Sequence, residues 1–431
     1  MGCKVNTYDT SLLEDKLIKA GFSLISQDAQ VTIINSCAVT EKSSLETHRF
    51  VKKIKSKNPK TLVVVTGCVA QTDVDRLTSL TGADLIVGNS HKGQIDEIIK
   101  GHLDQTLNQR VYHSNIFEKM ELDAGGGIES SRTRAFLKIQ DGCNSFCSFC
   151  IIPFARGKSR SLNQTHLVDR INDLHHKGFQ EVVLTGVHCG DYENEGNNFS
   201  SLVEHILENT KIPRIRLSSL EPIEVTPKLW SLFGKQKRLC PHIHLSLQSA
   251  NSKVLSDMKR KYSQRDVALF FNNFEKHIPH GFLGMDVIVG FPGETEGEFD
   301  DTHNFLRNHN QWTRIHVFPY SKRPGTLAIK RLDHLSPNVI SARAKKLREL
   351  SLQRQFEKAK SQLGLFKSAL VLEKLSYGAQ SLSSDYWPIK IEDLSQKNFI
   401  NQEVRVEITG YLPLKNGEQI LQGTIAKNPQ M

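Results

Sequence analysis

Short apolar runs alternate with amphipathic stretches along the first 120 residues. Val31-Thr32-Ile33-Ile34-Asn35-Ser36 reads as a buried strand, and 61–67 and 84–88 repeat the type. Each run is rich in β-branched residues and bounded by polar or glycine positions. Residues 40–57 between the first two runs carry a helical pattern, Lys-rich on one side. This order predicts a parallel α/β sheet. Ligands of such sheets gather beyond the carboxyl ends of the strands. Cys37 and Cys68 stand at those ends.

Residues 121–133 hold glycines, serines and little apolar content, the pattern of a linker. Beyond it six strands are predicted, at 135–139, 181–185, 214–218, 242–247, 285–289 and 314–318. Helical stretches near 163–177, 198–209, 226–234, 263–277 and 295–309 separate them. A repeated βα unit predicts a parallel barrel or part of one, with its chemistry at the carboxyl ends of the strands. Residues 335–364 read as one long helix, with Ser336 as N-cap and Pro337 in the first turn. Its Arg343, Lys345, Lys346, Arg348, Arg354, Lys358 and Lys360 are expected on a solvated face, an RNA-phosphate contact being the alternative. From about 365, runs at 368–373, 387–391, 403–409 and 419–425 predict a small β-barrel. Tyr386, Trp387 and Tyr411 are expected to pack that barrel rather than stack on bases. The expected domains are therefore 1–122, 130–362 and 363–431.

Composition narrows the classes. The chain has 431 residues, enough for two or three cores. It has no run of about 18 apolar residues, so no membrane span is expected. No apolar signal core opens it, so the cytoplasm is expected. The net charge is +10, and the whole excess lies in 126–364, which hold 34 basic and 24 acidic side chains. That suits a polyanion such as RNA, or an ordinary basic surface. Eight cysteines in such a chain read as metal or redox chemistry before disulfides.

The chemistry concentrates in Asp141-Gly142-Cys143-Asn144-Ser145-Phe146-Cys147-Ser148-Phe149-Cys150. Three thiolates spaced by three and two residues reach one metal centre from a single loop. Three ligands leave a fourth position open, whereas structural zinc sites close with four. A half zinc site completed by distant ligands is the alternative. Cys3 joins Cys37 and Cys68 through the shared Gly-Cys pairs at 2–3 and 67–68, and helical sequence follows all three. Together they form a second open site or serve as small buried hydrophobes.

The first loop, the strand before it and Ile151-Ile152-Pro153-Phe154-Ala155-Arg156-Gly157-Lys158-Ser159-Arg160-Ser161 after it resemble the methylthiotransferase branch of the radical S-adenosylmethionine (SAM) enzymes. So do Gly2-Cys3-Lys4-Val5-Asn6, Asn35-Ser36-Cys37-Ala38-Val39-Thr40 and Thr66-Gly67-Cys68, and segments at 217–222, 244–250, 258–262, 286–295 and 318–326. The resemblance spans nearly the whole chain. It implies an N-terminal α/β domain, a partial (βα)6 barrel and a C-terminal β-barrel similar to the RNA-binding TRAM domain. It implies two [4Fe–4S] clusters, one on Cys143, Cys147 and Cys150 that binds SAM, and an auxiliary one on Cys3, Cys37 and Cys68. Gly186, Gln248 and Arg260 are the implied SAM contacts, while His188 and Cys189 read as incidental and Cys240 as structural.

In that family a 5′-deoxyadenosyl radical takes hydrogen from C2 of an adenine, a bond no side-chain base can break. The auxiliary cluster presents sulfur, methylated by a second SAM. Three substrate classes occur: threonylcarbamoyladenosine beside the tRNA anticodon, isopentenyladenosine there, and an aspartate of a ribosomal protein. The motifs at 2–6, 154–161 and 217–222 look most like the first type. The implied partners are tRNA and an electron-donor protein, with no membrane and a monomeric chain. A zinc-dependent RNA-binding protein without catalysis is the other class. Related proteins carry a short strand before the cysteine matching Cys3, which here follows only two residues. Either the start is assigned too late or the first strand is missing, which would expose the edge of its neighbour or leave a gap in the sheet.

Overall fold

The computed structural model describes residues 2–120, 122, 133–392 and 399–426. The linker expected at 121–133 lies almost wholly outside them. The chain opens with α1 (Lys4–Lys19), β1 (Val31–Ser36), α2 (Glu41–Lys57) and β2 (Leu62–Gly67). α3 (Cys68–Thr72), α4 (Val74–Thr78), β3 (Leu85–Val87), α5 (Ile95–Leu103) and β4 (Val111–Tyr112) follow. The strands form one parallel sheet in the order β1-β2-β3-β4. Helices cover both faces, which is why Val63, Val64, Val65 and Ile86 form continuous apolar runs with no exposed side.

Among the described residues nothing pairs with the outer edge of β1. A groove of about 750 Å³ runs beside it, walled by Leu13, Leu17, Phe22, Ile33 and Phe50. Leu24 and Ile25 on its rim are 56% and 60% exposed, an unusual state for two adjacent aliphatic side chains.

The barrel begins with β5 (Arg134–Asp141), α6 (Ile152–Arg156), β6 (Arg160–Ser161), α7 (Gln164–His176) and β7 (Glu181–Gly186). The small hairpin β8 (Glu193–Asn194) and β9 (Asn197–Asn198) leads to α8 (Phe199–Asn209), β10 (Arg214–Leu217), β11 (Ser219–Leu220) and α9 (Pro227–Lys235). β12 (His242–Gln248), α10 (Ser252–Asp257), α11 (Gln264–His277), β13 (Phe282–Val289), α12 (Glu296–Asn308), β14 (Arg314–Pro319) and α13 (Pro337–Lys360) complete it. The third strand of the arc is split at Ser218: β10 pairs with β7 and β11 pairs with β12. Six parallel strand positions result, at the places the sequence indicates. Thr295 caps α12 in a capping box with Glu298, which starts the helix there.

α13 departs from the solvated face expected of it. Ser336 caps it as predicted, but two of its arginines are buried. Arg343 pairs with Glu294 at 2.7 Å and with Glu296 at 3.0 Å. Arg354 donates to the carbonyls of His309 and Arg307 and lies over the Trp312 ring. Both are used as long stems under a charged tip, which a sequence pattern reads only as charge. Lys345 and Lys346 remain on the solvent side, in ion pairs with Glu349 and Asp300.

The C-terminal unit is a closed barrel of β15 (Phe366–Lys374), β16 (Ala379–Ser383), β17 (Pro388–Ile391), β18 (Glu403–Pro413) and β19 (Gln419–Ile425), ordered β15-β16-β17-β19-β18. The strand absent from the sequence reading is β16. Its Ala-Gln-Ser-Leu-Ser run has no β-branched residue, and it forms because β15 and β17 pair with it on both sides. Trp387 is buried in the barrel core, and Tyr411 is partly buried against it. Tyr386 does more than pack its own barrel. It stacks on His242 of β12 at 4.0 Å between ring centroids, and the Arg216 guanidinium lies over its face. The carbonyls of Leu382, Ser383 and Ser384 accept from Arg214 and Arg216. Glu181 holds these two arginines, with Oε1 2.8 Å from Arg216 Nε and Oε2 3.0 Å from Arg214 Nε. The small barrel thus closes the amino-terminal end of the large one.

Candidate functional site

β1 and β2 run in register Ser36↔Gly67, so the next residues, Cys37 and Cys68, leave the sheet side by side. Gly67 makes this possible. Its φ is +91°, and a Cβ there would sit 2.5 Å from the Ser36 carbonyl oxygen. Cys3 is the N-cap of α1, and a Cβ on Gly2 would lie 3.0 Å from the Cys37 Cβ. Three helix or loop starts therefore bring Cys3, Cys37 and Cys68 together at the carboxyl edge of the sheet. Asn89 closes the set from behind, with Nδ2 3.8 Å from Cys68 Sγ and 2.8 Å from the Ala155 carbonyl.

The second set lies on the loop after β5. Gly142 turns the chain at φ +76°, where a Cβ would overlap the Lys158 carbonyl. The Cys143 amide donates to the Gly157 carbonyl, the Ser148 amide to Met258, and Ser148 Oγ to Asp257. Phe146 takes a left-handed φ of +46° between the first two ligands. With the loop so pinned, His188 Nδ1 lies 3.6 Å from Cys143 Sγ, and Arg260 Nη1 donates to Cys147 Sγ at 3.1 Å. Glu221 ties the two donors together, 2.7 Å from Arg260 and 3.3 Å from His188. Glu224 also pairs with His188.

All eight cysteines are free. Burial pushes the Cys150 thiol up to about 12, with the Cys147 charge adding to the effect. Burial likewise pushes Cys37 up to about 11, with Cys68 next in effect. Crowded sulfurs of this kind are stable as thiolates only around a cation, so each set fits a thiolate-bound metal centre. Cys143 behaves differently. Burial opposes its ionisation, but the hydrogen bonds from His188 and Ser145 outweigh burial and lower its pKa. Cys189 and Cys240 are fully enclosed, away from both sets, and burial raises each.

A cavity of about 200 Å³ lies beside Cys150. Phe149, Cys150 and Ile152 line it together with Val39 and Thr40, two and three residues past Cys37. Gln248, Asp286, Phe318 and Tyr320 complete it. Gln248 reaches the cavity through a bulge in β12 and a left-handed φ of +62°, a backbone state that costs about 1–3 kcal/mol. Gly186 is placed differently from Gln248 and Arg260. The space a Cβ would take there is filled by Gln140 Oε1 at 2.9 Å and Cys189 Sγ at 3.2 Å.

Around Asp9 lies a group of charges that the sequence reading does not single out. Asp9 of α1 accepts from Lys138 at 2.8 Å, Arg156 at 2.9 Å and Lys92 at 3.2 Å. Asp141 accepts from Arg156 at 2.9 Å and Lys138 at 3.1 Å. All five side chains are 10% exposed or less. The surrounding cations hold both carboxyls well below their usual range, against burial.

Residues 137–306 match the model of the radical SAM superfamily, and residues 1–88 match that of the uncharacterized protein family UPF0004. The chain is 35% identical to the threonylcarbamoyladenosine tRNA methylthiotransferase MtaB of Aquifex aeolicus, over 95% of this chain and 98% of that one. The Bacillus subtilis protein of the same name is 36% identical, over 82% and 79%. A tRNA-2-methylthio-N(6)-dimethylallyladenosine synthase of Wolbachia pipientis is 31% identical, over 84% of each. Among solved structures, the radical SAM methyltransferase TsrM of Kitasatospora setae aligns with a TM-score of 0.55 and 12% identity, over 74% of this chain and 68% of that one, a likeness of fold.

Proposed function

Since the chain belongs to the radical SAM tRNA methylthiotransferases, we propose that it attaches a methylthio group to C2 of N6-threonylcarbamoyladenosine next to the tRNA anticodon. The observation that carries this reading is the cavity lined by Cys150 of one set and by Val39 and Thr40, which follow Cys37 of the other in the chain. Two [4Fe–4S] clusters, on Cys143, Cys147 and Cys150 and on Cys3, Cys37 and Cys68, would supply one-electron reduction of SAM and the transferable sulfur.

The chain's own residues orient and shield. Arg260 and His188 hold the Cys143–Cys150 loop by donating to two of its sulfurs. Gln248 and Arg260, with Gly186 at the end of β7, are our assignment for the SAM contacts. Phe149, Phe318 and Tyr320 give the cavity aromatic walls that stack on a base and exclude water. The C-terminal barrel is assigned as a TRAM-type unit that reaches the tRNA with a surface other than Tyr386 and Trp387, whose rings are engaged in packing. The same reading carries a cytoplasmic location, an electron-donor protein and a monomeric chain. Among the described residues no helix is long and apolar enough to cross a membrane.

The test is mass spectrometry of tRNA nucleosides from cells with and without the gene. A methylthio-threonylcarbamoyladenosine peak that depends on the gene supports the assignment. An isopentenyl product in its place moves the chain to the neighbouring substrate class.

A further inference from the structure

Among the described residues, the five buried charges around Asp9 do not sum to zero. Lys92, Lys138 and Arg156 carry three positive charges, and Asp9 and Asp141 carry two negative ones. Burying an uncompensated charge costs several kcal/mol, so a fold retains one only where something offsets it. The offset lies beside Arg156. The helix it ends, α6, packs on α3, so that Ile151, Ile152 and Ala155 share one core with Cys68, Val69 and Ala70. Asn89 bridges the Ala155 carbonyl to Cys68 Sγ. On the other side, Asp9 sits in the second turn of the helix that Cys3 caps.

We infer that Arg156 is a positioning residue for the auxiliary site, the fixed positive charge of a buried five-residue network that sets the reduction potential of the cluster held by Cys3, Cys37 and Cys68. This rests on the reading of those cysteines given above. Three thiolates on a dicationic cluster core leave one net negative charge. The single excess positive charge of the network balances it. Reduction adds a second negative charge, which a neighbouring cation stabilises, so the network raises the potential. The same guanidinium spans Asp9 and Asp141, which lie six residues past Cys3 and two before Cys143. One side chain therefore touches the framework of both cysteine sets.

The charge account separates this role from a merely structural one, because carboxylate and cation variants must act with opposite sign. The experiment is a potentiometric titration of the holoenzyme followed by electron paramagnetic resonance. The auxiliary signal is identified as the one lost in Cys37→Ala. Arg156→Gln is expected to lower its midpoint by at least a tenfold change in the oxidised-to-reduced ratio, which is about 59 mV for one electron. Asp9→Asn is expected to raise it, and Arg156→Lys to keep it near wild type. If Arg156→Gln takes up no iron, Lys92→Gln supplies the same reading, with the midpoint lowered. Shifts of one sign in cation and carboxylate variants, or no shift in either, overturn the inference. Absence of any iron–sulfur signal dependent on Cys37 overturns instead the assignment of the auxiliary site.

Discussion

His188 faces Cys143 across 3.6 Å through Nδ1, while its other ring nitrogen is turned to Glu221 and Glu224. The ring is a spacer between the Cys143 sulfur and two carboxylates. Burial works against its charge, but the bonds to Cys143, Glu221 and Glu224 raise its pKa far above the usual value of 6.5. It therefore stays protonated through the physiological range and presents a hydrogen to the sulfur. His188→Gln shortens that reach. A hydrogen bond to a charged group contributes about 1.5–3 kcal/mol, so SAM cleavage in this variant should fall about tenfold or more while iron content is kept. Chromatographic measurement of 5′-deoxyadenosine, alongside iron analysis, checks it.

The two cysteine sets should fail in different ways. Cys147→Ala is expected to abolish SAM cleavage. Cys37→Ala is expected to leave 5′-deoxyadenosine formation and stop thiomethylation. A methylthio product from the Cys37 variant would show that its set is not the sulfur-bearing one.

Metal content distinguishes the enzyme from a zinc-dependent RNA-binding protein. Anaerobically purified protein should carry about eight equivalents each of iron and sulfide, with broad visible absorbance, as two [4Fe–4S] clusters require. Chelation of the iron should bleach that absorbance. Colourless protein loaded with zinc is the contrary result.

Acid should loosen the seat of the C-terminal barrel. Burial opposes the charge of Glu181, but Arg216, Arg214 and Arg134 prevail and bring it to about 2 from 4.5. A depressed carboxylate contributes stability that is complete above pH 4.5 and is lost as pH falls toward 2, about 3 kcal/mol in all. His316 adds an earlier step. Burial, with Arg314 and His244 beside it, lowers it to about 4 from 6.5. Its contribution is present above pH 6.5 and is lost as pH falls toward 4. Urea unfolding from pH 7 to pH 3 should show both steps. Glu181→Gln should flatten the lower one and destabilise the protein by about 3–5 kcal/mol, because two arginines lose their buried partner.

The parts of this protein that were legible in its sequence are those written locally. Strands such as 31–36 and the caps of α12 and α13 follow from residue type and spacing within one element. Cys143, Cys147 and Cys150 follow from a spacing within one loop. The rest depends on distant residues meeting. Asp9 looks like an ordinary helix residue until Lys138 and Arg156 arrive beside it from 129 and 147 positions away. The sequence reads His188 as incidental, because three thiolates already complete a ligand set. The structure places its Nδ1 3.6 Å from one of them, and the available signal is its place two residues past the end of β7, where barrel sites are built. Arg343 and Tyr386 carry polar tips that a sequence pattern assigns to solvent or to the local core. Their partners, Glu294 and His242, belong to other elements.

The distance along the chain between Asp9 and Arg156 also fixes an order of events during synthesis. Domains form from the amino terminus as the chain leaves the ribosome. The helix capped by Cys3 emerges before the barrel. Its buried carboxylate has no barrel partner until Lys138 and then Arg156 have followed. Cys3 therefore waits, during every round of translation, for the opening βα unit of the barrel. The earliest-made half of the site is completed only together with the later one, and a nascent chain halted before residue 156 has neither half in its finished form.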